Sequence, residues 1–91
     1  MTIILMPAAQ EDLSDIYSYY AARSPASADR VVGTILKAAN GLARFPFIGK
    51  QGDVPGTRER VVTRYPYRIV YHIVGDTIEV LRIIHGARQW P

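Results

Sequence analysis

The residues with the most chemistry in this chain lie at its end, in RIIHGARQWP, Arg82 to Pro91. His85 is fit to move a proton near neutral pH. Arg82 and Arg88 offer planar forks of donors that suit carboxylates, phosphates and aromatic faces. Trp90 is the only tryptophan. It is either a lid that holds the end of the chain against the domain or an anchor for a partner, a common use of tryptophan. A second group of arginines, Arg58, Arg60, Arg64 and Arg68, precedes it. The two histidines, His72 and His85, fall on different predicted strands. No His-x-x-His or acidic triad accompanies them, so no metal site and no cofactor is expected. With no cysteine, disulfides and thiolate metal sites are excluded, which fits a reducing cytoplasm.

Ninety-one residues predict one domain, 1–91, with room for one sheet and a helical layer. A surface site is expected rather than a deep pocket. The hydrophobic share of 48% is that of a folded chain. The short apolar start, Ile3 to Pro7, is neither a secretory signal nor a membrane span. The net charge is +3. Residues 1–49 balance Arg23, Arg30, Lys37 and Arg44 against Glu11, Asp12, Asp15 and Asp29. The excess therefore lies in the C-terminal half, which could meet nucleic acid or an acidic protein. No helix reads as basic and no helix-turn-helix or ribbon pattern stands out, which argues against a plain DNA-binding module.

Elements must position these groups. TIILM, Thr2 to Met6, reads as a strand buried on both faces. Pro7 opens a helix in which Ala9, Leu13, Ile16, Tyr17 and Tyr20 recur at helical spacing, with Glu11 and Asp12 assigned to the first turn. Ser24 and Pro25 read as the cap and first residue of a second helix. Its stripe is Ala28, Val32, Ile35, Ala39 and Leu42, and Pro46 ends it. Residues 46–57, with three glycines and two prolines, predict an irregular stretch. Three strands follow, at Arg58–Arg64, Tyr67–Val74 and Thr77–His85, with Gly75-Asp76 as a two-residue turn. Arg82 is expected on the same face as Val80 and Ile84, its stem buried. The order β-α-α-β-β-β predicts an α+β domain, an antiparallel sheet with an N-terminal helical hairpin on one face.

That order, carrying PAAQEDLSDIYSYY, LARFPFIGK, Gly56-Thr57-Arg58-Glu59, YPYRIVY and IEVLRIIHGAR, resembles the RelE/ParE superfamily of bacterial type II toxins. The resemblance spans nearly the whole chain. It implies a small cytoplasmic toxin, no membrane partner, and a ParD-like or similar antitoxin bound in a hetero-oligomer. Two activities divide the family. ParE-like members poison DNA gyrase by protein contact. RelE-like members cut ribosome-bound mRNA.

RNA cleavage needs a base, cations on the phosphate and an acid. RelE-like enzymes resemble one another in a lysine pair, the arginine of the YR-V-Y motif, a later arginine and a C-terminal tyrosine. Arg68 matches the motif arginine and Arg88 the later one. Glu59 and Val61 stand at the lysine positions, and Arg58 and Arg60 lie one residue out of register, hence on the opposite face. No tyrosine follows the last strand. A nuclease would have to use Arg68, His85 and Arg88, with Glu59 or His72 as the partner of His85. The expectation is therefore a ParE-like gyrase inhibitor without a catalytic residue. The alternatives are a RelE-like nuclease and an inactive, toxin-like binding partner. Partner contacts are expected from Tyr17, Tyr20, Arg58, Arg60, Arg64, Arg82, Arg88 and Trp90. Arg68 has a structural alternative, as a pair for Glu59 on the neighbouring strand.

Overall fold

The computed structural model describes residues 1–86 and 88–91. Its elements are β1 (Thr2–Leu5), α1 (Pro7–Ala21), α2 (Pro25–Gly41), β2 (Lys50–Gln51), β3 (Arg58–Val61), β4 (Tyr67–Val74) and β5 (Thr77–His85). Pro7 starts α1 behind an extended Met6. Because the helix begins there, Glu11 and Asp12 fall in its second turn, not its first. Ser24 caps α2 by accepting the Ser27 N–H at 3.1 Å, which satisfies one of the donors a helix start leaves open. Three residues join the helices, and they pack as a hairpin against the sheet.

The five strands run in the order β1-β5-β4-β3-β2. β3, β4 and β5 form the expected antiparallel meander, and the short β2 extends it. β1 lies parallel to β5, so the sheet is mixed. Two helices intervene between β1 and the meander, and such a crossover permits a parallel pairing. β1 is an edge strand, and its residues alternate between exposed and half-buried rather than being buried on both faces. β3 stops at Val61, short of Arg64. α2 stops at Gly41, before Pro46.

One face of the sheet takes the helices. Ile35 of α2 and Leu42 just past its end join Ile69 and Tyr71 of β4 and Ile78 and Val80 of β5 in the core, all fully buried. Gly75 turns the β4–β5 hairpin with φ +62°, at the first central position, where a two-residue turn requires it. Further along, the β4–β5 register jumps from Val70↔Arg82 to Tyr71↔Val80. Leu81 is the extra residue of this bulge. It reverses the alternation of β5, so Val80 and Ile83 both enter the core while Arg82 and Ile84 turn to the opposite face. Simple alternation put Arg82 beside Val80; the bulge separates them.

The stretch before β3 is held by one side chain. The buried Tyr71 hydroxyl donates to the Pro46 carbonyl at 2.7 Å and accepts the Gly49 N–H at 3.0 Å. A Cβ at Gly49 would stand 2.7 Å from that hydroxyl and 2.8 Å from the Glu59 carbonyl. Only glycine lets the chain pass so close.

Candidate functional site

The sheet face turned away from the helices carries Arg68, Val70 and His72 of β4, since Tyr67, Ile69 and Tyr71 face the core. Glu59 lies opposite Val70, so it shares this face, diagonal to Arg68. Arg58 and Arg60 lie opposite Tyr71 and Ile69 and so face the helices, as the two-residue period of a strand requires. Arg68 forms an ion pair with Glu59, whose side chain is 5% exposed. The second terminal nitrogen of Arg68 donates to the Arg88 carbonyl. Burying a carboxylate is tolerable only with such a partner. The motif arginine thus bolts the third strand and the C-terminal segment to the centre of the sheet. Gly86 adds to this by donating to the Pro66 carbonyl at 2.6 Å.

His85 is exposed and lies opposite Tyr67, on the face of the helices. The two rings meet edge to face at 5.8 Å. Burial, then the neighbouring Tyr20, push the Tyr67 hydroxyl up to about 12, so it stays protonated at neutral pH. His72 lies opposite Glu79, and its Nε2 is 2.6 Å from the Glu79 carboxylate. Tyr67 and His72 are five steps apart along β4, roughly 16 Å of strand, and an odd number of steps puts them on opposite faces. Glu59 and His72 are therefore on the other face of the sheet from His85. The arrangement brings Arg68 and Arg88 together through the Arg88 backbone. It gives His85 neither of the partners weighed for proton transfer.

Arg82 is bound within the chain. Beyond Leu5 the edge of β5 has no strand neighbour, and Asp12 of α1 takes that place. Its carboxylate accepts the Ile83 N–H at 2.9 Å and both Nε and Nη2 of Arg82, at 2.7 and 2.9 Å. The hydrogen bonds to Asp12 push the Arg82 guanidinium upward from its ordinary value. No sequence pattern announces this pair, which joins positions 70 residues apart.

The remaining arginines behave differently. Arg58 donates to the Gly49 carbonyl at 2.8 Å and lies over the Phe47 ring at 4.9 Å. Arg60 lines a groove of about 440 Å³ with Lys37, Arg44, Phe45 and Ile48. Arg64, exposed, lines an adjoining one of about 340 Å³ with Arg30 and Lys37. Tyr17 is exposed, whereas Tyr20 packs against the core and meets Tyr65 edge to face at 6.3 Å. Arg88 is exposed and Trp90 half-buried. The cations of α2 that line these grooves were not among the residues expected to meet a partner. The signal was present, because Arg23, Arg30, Lys37 and Arg44 recur every seven residues.

Residues 3–90 match the family model described as ParE toxin of type II toxin-antitoxin system, parDE. The Y4kP protein of Sinorhizobium fredii is 39% identical over 79 residues, 87% of this chain and 81% of its own. Toxin RelE2 of Caulobacter vibrioides is 32% identical over 77 residues, covering 85% of each. A chain of the chromosomal ParDE toxin–antitoxin system from P. aeruginosa superposes with a TM-score of 0.86 at 27% identity, over 93% of this chain and 95% of that one. The chain belongs to the ParE toxin family of type II toxin–antitoxin systems, within the wider ParE/RelE group. Among the described residues, no helix is long and apolar enough to cross a membrane.

Proposed function

We propose that this toxin acts in the cytoplasm by binding DNA gyrase through its surface, without chemistry of its own, and that a cognate antitoxin neutralises it by binding. The observation that carries this reading is the state of Arg68. Its two terminal nitrogens are engaged by Glu59 and by the Arg88 carbonyl, so little of it is left for a scissile phosphate. His85 adds to this, since Glu59 and His72 both lie across the sheet from it. The relative named ParDE, with its TM-score of 0.86, supports an antitoxin partner. The segment that Arg68 pins carries the exposed Arg88 and the half-buried Trp90 and is the contact surface in this reading.

A second reading has two observations in its favour: the Arg68 guanidinium reaches the Arg88 backbone carbonyl, and a relative is named RelE2. A nuclease of that kind would use Arg68, His85 and Arg88. The deciding experiment incubates the purified toxin with gyrase and DNA, and separately with ribosomes holding mRNA. The proposal expects cleaved, gyrase-bound DNA and intact message, with His85→Ala unchanged in both. Discrete, ribosome-dependent cuts lost in His85→Ala would overturn it, since removing a general acid or base costs about 10²–10⁴ in rate.

A further inference from the structure

Where the two helices meet, the side chains offer more protons than the chain can use. A cavity of about 210 Å³ lies there, lined by Tyr20 of α1, Arg23 in the link, Ser27, Arg30 and Val31 of α2, and Tyr65 after β3. Its lining holds two guanidinium groups and no carboxylate. Asp29 lines the neighbouring cavity, not this one. Among the described residues, neither Arg23 nor Arg30 enters an ion pair.

The hydrogen bonds decide what Ser27 has left to give. Ser24 Oγ accepts the Ser27 N–H at 3.1 Å and donates its own proton to Ser27 Oγ at 2.9 Å. Arg30 Nη2 donates to the same oxygen at 3.3 Å. A hydroxyl has one proton and two lone pairs, so Ser27 has both lone pairs engaged and its proton free. A site that offers only protons suits a ligand that only accepts them. A terminal phosphate brings three acceptor oxygens and a charge of about −1.5 to −2 near neutral pH, a match for two arginines. A carboxylate or an internal phosphodiester carries a single charge. The cavity is smaller than the roughly 300–1,000 Å³ that encloses a whole small ligand, so it takes a head group and leaves the rest outside. Next to Tyr20, the Tyr19 ring is 70% exposed and meets the Tyr20 ring edge to face at 5.1 Å. An open aromatic ring beside a cationic pocket is a platform for a nucleobase.

We propose that this cavity binds the terminal phosphate of a nucleotide, held by Arg23, Arg30 and Ser27, with its base stacked on Tyr19. The nucleotide is a free mononucleotide or the 5′ end of a strand, since both present the same group. The site is separate from Arg68 and the C-terminal segment, so it stands or falls independently of the gyrase and antitoxin readings.

The test titrates the full-length toxin with a short oligonucleotide labelled at its 3′ end, carrying either a 5′-phosphate or a 5′-hydroxyl. The phosphorylated strand should bind at least tenfold more tightly. Arg23→Gln/Arg30→Gln should remove that preference, and Ser27→Ala and Tyr19→Leu should each weaken binding at least threefold. Lys50→Gln, an exposed cation on β2, should change nothing. Melting temperatures of the free variants should match the wild type, which keeps lost binding distinct from lost fold. The preference should also shrink from pH 7.5 to pH 5, because the second phosphate proton returns at a pKa of about 6 and leaves one charge. Competition by AMP would assign the free mononucleotide, and binding of the strand without it would assign the strand end. Equal affinity for the two strands, or a preference that survives in the double arginine variant, would overturn the site. Inorganic phosphate competing as well as AMP does would overturn the nucleotide.

Discussion

The two sides of this small sheet treat charge in opposite ways. On the face away from the helices, and at the β5 edge, ionisable groups find partners within the chain: Arg68 pairs with Glu59, Arg82 with Asp12, and the Glu79 carboxylate lies against His72. Along α2 and after β3, the exposed Arg30, Lys37, Arg44 and Arg64 have no such answer among the described residues. Residue type alone does not separate these groups, because both are mostly arginine. Burial does. A carboxylate 5% exposed must have its counter-ion built in, whereas a cation in an open groove is kept by water until a partner arrives. An arginine in the first group is a part of the fold, and one in the second is free for recognition.

The sharpest way to break this contrast is at Arg68. Arg68→Ala leaves the Glu59 carboxylate buried without its partner, and such losses cost about 3–5 kcal/mol. For a domain of this size that is a large part of the whole stability. Chemical denaturation should show it as a lower midpoint. The double variant Arg68→Leu/Glu59→Leu should recover most of the loss, because it removes the stranded charge as well as the pair. A single Arg68→Ala variant with wild-type stability would place Arg68 with the free cations and return it to the nuclease reading.

A smaller effect is expected where the fold depends on backbone passage rather than charge. Gly49→Ala pushes a methyl group against the Tyr71 hydroxyl and the Glu59 carbonyl, at 2.7 and 2.8 Å. The Glu59 carbonyl is backbone and cannot swing aside. Overpacking of this kind costs about 1–3 kcal/mol. Gly33→Ala should have the opposite sign in the free toxin, because its surroundings are empty and alanine is the better helix former. Thermal melts of the two variants side by side would expose an error in either assignment.

Much of this architecture was legible in the sequence. The helical hairpin followed from Pro7, the Ser24-Pro25 start and the apolar stripes. The β4–β5 hairpin followed from strict alternation and Gly75-Asp76. The face of Glu59 and Arg68 followed from the period of two. What stayed hidden was non-local. The parallel pairing of β1 depends on where the helices return the chain. The Leu81 bulge is a single inserted residue between Glu79 and Arg82, and its one mark in the sequence is the doubled apolar pair Val80-Leu81. Asp12 read as a helix-start carboxylate, and only the vacant edge of β5 beyond Leu5 gives it Arg82 and the Ile83 N–H. The cations of α2 stayed hidden because the acids of residues 1–49 cancel them in net charge, and only their spacing by helical turn brings them onto one side.

The smallest effect should come from the cations that the fold does not use. Lys37→Ala and Arg64→Ala each remove an exposed charge with no ion pair in the chain. Surface substitutions of this kind stay within about ±0.5 kcal/mol. Removing one of several neighbouring like charges also relieves repulsion, so the shift should lean towards higher stability at low salt and fade as salt screens it. Denaturation at two ionic strengths would measure this. The result bears on the contrast directly: if Lys37→Ala cost as much as Arg68→Ala, the groove would be held together by its cations, and their lack of partners would no longer mark a surface left open for recognition.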